Sequence, residues 1–230
     1  MIRTKSGREI KIAPSMMCAD FLHLEEELKL FEETGIDYLH IDIMDGHYVP
    51  NFTLGPGFCN ILAEHSTIPM DIHLMIENVD SFIPSFTGFP GCIVTFHPEV
   101  CYHPLRTLSF IKDQGARAGI AVDPSTSLES VKYMLPDIDF VCMMTVNPGY
   151  AGGKLVPQAI DKIREFSGHF QEKGYSIEIE ADGNVSWENI PRMIDAGAAT
   201  LVIGTSSVFE KGADRRENIR RLEKLIQSGD

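Results

Sequence analysis

The feature that most constrains this chain is a rhythm. Eight short runs rich in Ile and Val are each followed by a longer stretch of helical periodicity, from end to end. Runs near 11–15, 36–43, 69–74, 92–96, 117–122, 138–145, 176–181 and 200–204 read as strands. They are apolar nearly throughout instead of alternating, as parallel strands covered on both faces must be. Segments 22–34, 56–65, 79–86, 104–114, 127–135, 156–172, 187–196 and 214–227 read as helices. In the first, Leu22, Leu24, Leu28, Leu30 and Phe31 recur with Glu and Lys between them, giving one apolar face to lay on a sheet. Asp20 and Ser186 suit helix N-caps, and Gly35, Gly115, Gly174 and Gly197 suit helix C-termini. Eight β/α units in 230 residues predict an α/β fold, a (β/α)8 TIM barrel, as one domain over 1–230 with no linker or low-complexity tract. The rival is an open doubly wound sheet. It normally uses fewer strands, and no Gly-x-Gly-x-x-Gly follows the first strand to support a dinucleotide form.

In a barrel, reactive groups gather at the C-terminal ends of the strands. His40 and Asp42 share one face of the run 39–43 by period-two geometry, and His73 and Asp182 stand near the ends of two other runs. Two imidazoles and two carboxylates from three strands can surround one divalent metal and place two carboxylate bases beside it. Any one of these residues alone reads as structural; their joint arrangement carries the chemistry. Ser15 and Asn147 also fall at strand ends. Gly149 and Gly152 sit in the long loop 147–153, where glycine can turn backbone N–H groups toward an anion. Gly183 and Asn184, with Gly204, Thr205 and Ser206, occupy the last two βα loops, where barrels commonly bind phosphate. Glu178, Glu180 and Asp182 share a strand face, of which only Asp182 should reach the site. Glu178 suits a polar bottom layer. Glu180 should lie buried beneath the site and need a Lys, Arg or hydroxyl partner.

Lys and Arg number 20 against 33 Asp and Glu, a net charge of −13. Such a chain is a poor non-specific binder of nucleic acid or anionic lipid, although a small phosphorylated ligand senses only the local site. The opening residues 1–7 lack an apolar signal region and no run reaches transmembrane length, so the expectation is a cytoplasmic protein without membrane contact. Five cysteines without CxxC spacing read as reduced thiols. No strand lysine offers Schiff-base chemistry at the mapped site; metal-dependent hydrolysis and simple sugar-phosphate binding are the other functional classes.

Five motifs, in order, resemble the D-ribulose-5-phosphate 3-epimerase family from about Lys11 to Phe209. They are Ala13 to Asp20, His40 to Asn51, Asp71 to Met75, Thr145 to Tyr150, and Glu180 to Gly183. The resemblance implies a barrel of the ribulose-phosphate-binding type acting on a phosphorylated ketose. It implies His40, Asp42, His73 and Asp182 as ligands of one divalent metal ion per subunit. Zinc suits two imidazoles and two carboxylates, and Fe, Mn or Co suit the same mixed set. Asp42 and Asp182 would then be the acid/base pair that inverts C3 through a 2,3-enediolate. Ser15, His73, Asn147 and the glycine loops would contact substrate, with Met44, Met75 and Met144 around the reacting centre. A homo-oligomer, dimer or hexamer, is implied as well. Some positions depart from the commonest pattern: Asn184 stands where a second Gly usually follows Asp-Gly, and Gly153 where Gln is usual. Met17-Cys18, the context of Asp182 and Gly204-Thr205-Ser206 look closer to the D-allulose-6-phosphate 3-epimerase branch. The expected substrate is accordingly D-allulose 6-phosphate, with D-ribulose 5-phosphate as the alternative.

Overall fold

In the computed structural model, which describes residues 2–149 and 152–229, the apolar runs pair into one sheet. A short β1 (Ile2–Arg3) lies antiparallel to β2 (Glu9–Pro14). From β2 onward the strands are parallel: β3 (Leu39–Met44), β4 (Met70–Met75), β5 (Ile93–Phe96), β6 (Arg117–Val122), β7 (Phe140–Met144), β8 (Glu178–Asp182) and β9 (Thr200–Ile203). The spatial order β1-β2-β9-β8-β7-β6-β5-β4-β3 leaves β2 and β3 to meet, and a parallel bridge between Ser15 and His40 closes the (β/α)8 barrel. Across the same seam the amides of Asp37 and Tyr38 donate to the Ile12 carbonyl at 3.2 and 3.3 Å. Every residue of β3, β4, β5, β7 and β9 is buried, because helices cover one face and the packed barrel interior the other.

The helices are α1 (Leu24–Glu33), α2 (Pro56–His65), α3 (Pro104–Asp113), α4 (Leu128–Val131), α5 (Gln158–Lys173), α6 (Asn189–Ala196) and α7 (Arg215–Ser228). Spacing decides which side they bury. α5 turns Ile160, Ile163, Phe166 and Phe170 inward, and Gly174 ends it at φ +70 with its amide on the carbonyls of Phe170 and Gln171. Leu22 does not join the buried face of α1. It sits in a 3-10 turn before that helix and is 90% exposed. Asp20 caps that turn through the Leu22 amide at 3.0 Å, and Ser186 Oγ receives the Asn189 amide at 3.3 Å. Two expected helices are not formed as such. Residues 79–86 make two 3-10 turns, Val79–Ser81 and Ile83–Ser85, since Asn78 is left-handed and Pro84 lacks a donor. Residues 127–135 hold only the single turn α4 before a 3-10 turn at Leu135–Asp137 containing Pro136.

Beneath the barrel, at the N-terminal ends of the strands, Glu178 binds Lys11 Nζ at 2.8 Å and Arg117 Nη2 at 3.0 Å. Thr200 Oγ1 donates to the other Glu178 oxygen at 2.5 Å, and the Tyr38 hydroxyl lies 3.2 Å from Lys11 and 3.1 Å from Arg117. This is the expected polar bottom layer. Among the described residues no helix is long and apolar enough to cross a membrane.

Candidate active site

Parallel strands bring all their C-terminal ends to one rim, and register decides which side chains meet there. Asp42 on β3 pairs with His73 on β4, Met44 with Met75, and Met144 on β7 with Asp182 on β8. His40, two residues below Asp42, shares its face. His40 Nε2 lies 3.3 Å from Asp42 Oδ1 and 3.9 Å from Asp182 Oδ2. His73 Nδ1 lies 3.3 and 3.7 Å from the same two oxygens. These four side chains each offer one ligand atom, all within 4.8 Å of one another.

Does this set fit a cation? His40 Nδ1 contacts Asp71 Oδ2 at 2.6 Å with both side chains fully buried, which holds the proton on Nδ1 and turns Nε2 to the cluster. His73 Nδ1 is buried without a hydrogen-bond partner among the described residues. An unpartnered buried nitrogen beside two carboxylates and a second imidazole is a donor set suited to a cation. The residues fit a divalent ion with two nitrogen and two oxygen ligands.

The electrostatics agree. Burial alone would push the Asp42 carboxyl up, but His40 and His73 beside it hold it far below the carboxylate range. Burial, against the pull of His40 and with the charge of Asp42 added, raises Asp182 to about 6. Burial pulls His40 down, yet Asp42, Asp71 and Glu180 outweigh it, so this imidazole takes up a proton when no cation is bound. The two carboxylates are thereby split, one held ionised and one able to carry a proton near neutrality.

Glu180 departs from expectation. Among the described residues no Lys, Arg or hydroxyl partners it; the adjacent Thr200 hydroxyl goes to Glu178 instead. Glu180 is fully buried, with one oxygen 3.7 Å from His40 Nδ1, and burial together with Asp71 keeps its carboxyl protonated well above the usual range.

Above the four side chains opens a cavity that Asp42 and Asp182 line. Ser15 lines it and donates its Oγ proton to Asp42 Oδ2 at 3.2 Å. Met44, Met75 and Met144 make an almost wholly buried wall. Gly149, Gly152, Gly183, Asn184, Gly204, Thr205 and Ser206 form the rest of the rim. Among the described lining residues there is no Lys or Arg, so an anion here must be met by backbone N–H groups and hydroxyls. Gly183 stands at φ +104, and a Cβ there would come within 2.5 Å of Val146 Cγ2. Asn184 keeps a left-handed backbone at φ +45. Its Nδ2 donates to the Gly153 carbonyl at 2.8 Å and its Oδ1 accepts from Asn189 at 2.9 Å.

Two residues expected to contact substrate lie outside the cavity lining. Asn147 is exposed and outside the lining, because Val146 before it turns into the cavity and successive side chains alternate. His73 is fully buried below the floor and presents Nδ1 to the ligand cluster, not to the cavity. Tyr150 and Ala151, in the same loop as Asn147, lie outside the described residues. The sequence reading did not assign Met17, Cys18, Val146, Pro148, Val185 or Val202 to the lining, although it singled out Met17-Cys18 as branch-like. It also missed His97, whose Nε2 lies 2.9 Å from His73 Nε2. The strand-end rule was sufficient to find His97, which directly follows β5.

Residues 11–209 match the model of the family described as Ribulose-phosphate 3 epimerase family. The ribulose-phosphate 3-epimerase of Bacillus subtilis (strain 168) is 42% identical over 214 residues, covering 93% of this chain and 98% of that protein. That of Escherichia coli (strain K12) is 40% identical over 205 residues, covering 89% and 91%. That of Methanocaldococcus jannaschii is 41% identical over 202 residues, covering 88% and 85%. Among solved structures, a mutant tryptophan synthase α-subunit from Pyrococcus furiosus superposes with a TM-score of 0.64 at 15% identity, covering 98% of each chain. A thiamine phosphate pyrophosphorylase from Pyrococcus furiosus gives 0.58 at 14% identity over 95% of each. At these identities the two structures share the fold alone.

Proposed function

Because the chain belongs to the ribulose-phosphate 3-epimerase family and is an epimerase, we propose that it inverts C3 of D-ribulose 5-phosphate to give D-xylulose 5-phosphate. The observation that carries the proposal is the convergence of His40 Nε2, Asp42 Oδ1, His73 Nδ1 and Asp182 Oδ2 beneath one cavity, which Asp42 and Asp182 line. The hexulose phosphate expected from branch-like residues is not supported by the comparisons. The relatives at 40–42% identity carry the ribulose-phosphate name. Asn184, one of the departures behind that expectation, preserves the left-handed backbone and ties two loops together. We therefore take the pentulose phosphate as substrate.

The C3 proton of a 2-ketose is weakly acidic because its removal leaves an enediolate. Asp42 and Asp182 come from β3 and β8, between which β2 and β9 intervene, so they reach the cavity floor from different sides. One takes the proton from one face of the sugar and the other returns a proton to the opposite face; the reverse reaction exchanges the roles. Ser15 holds Asp42 Oδ2 and leaves Oδ1 turned to the ligand cluster. When bound at these four residues, the divalent ion supplies Lewis-acid stabilisation of the charge that builds on the ketose oxygens. Zinc suits the donor set, as do Fe, Mn and Co. The methionine wall keeps the centre dry without offering a competing base. Backbone N–H groups of the loops at Gly183 and Gly204 receive the phosphate.

The test is side-by-side kinetics on D-ribulose 5-phosphate and D-allulose 6-phosphate with enzyme of defined metal content. The proposal expects a clear preference for the pentulose in kcat/KM, C3 inversion by NMR and no release of inorganic phosphate. A preference for the hexulose would overturn the substrate; phosphate release would overturn the reaction.

A further inference from the structure

The imidazole that matters most to His73 lies on the next strand. Thr95 on β5 pairs with His73 on β4, and two residues further His97 turns into the barrel on the same side. His97 Nε2 lies 2.9 Å from His73 Nε2, the ring centroids are 5.1 Å apart, and both side chains are fully buried. A contact of that length between two neutral imidazoles carries one proton: one nitrogen donates and the other accepts.

With His73 Nδ1 directed at the ligand cluster, the His73 proton resides on Nε2. His97 Nε2 must then be the acceptor, and the His97 proton resides on Nδ1. That nitrogen faces Asp123 Oδ1 at 3.4 Å and Glu99 Oε1 at 3.6 Å, both acceptors. The Glu99 carboxylate accepts from the Tyr48 hydroxyl at 2.9 Å, and the Lys162 ammonium binds the backbone carbonyl of Asp123. The Tyr48 ring packs against His97 with centroids 4.7 Å apart. His97 Nδ1 makes no hydrogen bond among the described residues, so these carboxylates act on it as nearby charge, and the His73–His97 contact is the hydrogen bond whose direction is at stake.

We infer that His97 is a positioning residue that locks His73 in its Nε2–H tautomer and so keeps the Nδ1 lone pair on the cation site. The inference rests on the metal-dependent reading above. His40 receives the same service from a carboxylate, Asp71; His73 receives it from a neutral ring, which adds no charge to a site already rich in carboxylates. Outer partners of this kind commonly govern metal affinity as strongly as activity.

His97, Glu99 and Asp123 also offer ligand atoms close enough to hold a cation of their own. That arrangement would use the His97 Nδ1 lone pair and put its proton on Nε2, pointing at the Nε2 proton of a metal-bound His73. Two N–H groups cannot share a 2.9 Å contact. The single proton makes the two sites mutually exclusive, and the one with four ligands prevails.

The test uses His97→Leu, which removes the acceptor, and His97→Gln, whose amide oxygen can replace it. Two readouts are taken: zinc affinity by chelator competition, and the His73 tautomer in metal-free protein by long-range 15N–1H correlation. Wild type should show Nε2–H. In His97→Leu the proton should move to Nδ1, drawn by Asp42, and zinc binding should weaken by about 10–100-fold. His97→Gln should restore the tautomer and return affinity to within a few-fold of wild type. An Nδ1–H tautomer in wild type would overturn the inference, as would equal zinc affinity in all three proteins. Equal weakening in both variants, each folded by its thermal melt, would also overturn it. Wild type that binds no zinc or other divalent ion defeats the metal-dependent reading itself, while the tautomer measurement still decides the role of His97. Should His97→Leu not fold, the wild-type tautomer and His97→Gln decide alone.

Discussion

Asp42 and His73 sit directly opposite each other on adjacent strands, with His73 Nδ1 3.3 Å from Asp42 Oδ1. The proposed base and a proposed ligand nitrogen are therefore delivered to one point by sheet register alone, with no loop between them. Sites built on strands hold geometry more tightly than sites on loops. The residues that must be placed well, His40, Asp42, His73 and Asp182, are all within strands, whereas the anion-facing groups are all in loops.

Removing either imidazole should therefore cost the ion. His40→Ala and His73→Ala are expected to lose metal by more than the ~10–100-fold typical of an outer partner. Elemental analysis of the purified variants after dialysis against chelator reads this out. Wild-type retention by both would show the ligand set to be wrong.

Asp42→Asn and Asp182→Asn should each lower kcat by ~10²–10⁴-fold when compared at equal measured metal occupancy. Exchange of the C3 proton with deuterated solvent can continue in one variant without inversion, because one half of the transfer survives. Full turnover by either variant at full occupancy would exclude an obligatory pair of carboxylates.

The pH dependence of metal uptake has a definite sign. In metal-free protein Asp182 is raised from 3.8 to about 6, and His40 is raised above its ordinary 6.5. Both groups keep protons in the folded state that the unfolded chain would release. Metal-free stability from these groups is thus fully present below the unfolded values and lost as pH rises through the folded ones. A bound ion displaces the same protons, so it stabilises more as pH rises. The melting temperature difference between loaded and metal-free protein should grow from pH 5 to pH 8. Calorimetry in buffers of unlike protonation enthalpy should show more protons released at pH 5 than at pH 8. A difference in Tm that stays flat across this range would contradict the assignment.

Gly204 and Gly183 should respond differently to substitution. A Cβ on Gly204 meets only Cys18 Sγ at 3.6 Å, whereas one on Gly183 is strained by both its φ and Val146. Gly204→Ala should fold like wild type. Gly204→Val should raise KM for the ketose phosphate about tenfold, a loss of about 1.4 kcal/mol, with metal content unchanged. Unaltered inhibition by inorganic phosphate in Gly204→Val would remove this loop from the anion site.

At the other end of the barrel, Glu178→Ala leaves Lys11 and Arg117 facing each other without their shared carboxylate. The expected cost is about 3 kcal/mol. Urea denaturation should show it as a lower midpoint with the same slope, and KM should not move.

Much of this was legible in the chain because strand position and chemistry coincide. His40, Asp42, His73 and Asp182 could be assigned together since His40 shares the face of Asp42 and His73 and Asp182 stand near the ends of two other runs; the sheet then supplied the adjacency. What escaped depended on neighbours that only register reveals. Glu180 was expected to need a Lys, Arg or hydroxyl partner, and Thr200 is its strand partner, but that hydroxyl turns to Glu178. His97 carries no spacing relation to His73; only the pairing of β4 with β5 sets them ring to ring. Local breaks were read too smoothly: Pro84 and Pro136 each turned an expected helix into short turns.

The polar layer of Lys11, Glu178, Arg117, Tyr38 and Thr200 fills the floor of the barrel and makes the cavity a blind well. Two ketose phosphates that differ only in the handedness of one carbon must then arrive and depart by the same door, one at a time. Each isomer obstructs the other for as long as it stays. A machine of this shape has no built-in forward direction. It levels the two pools, and whichever neighbouring reaction drains one of them faster decides which way material flows.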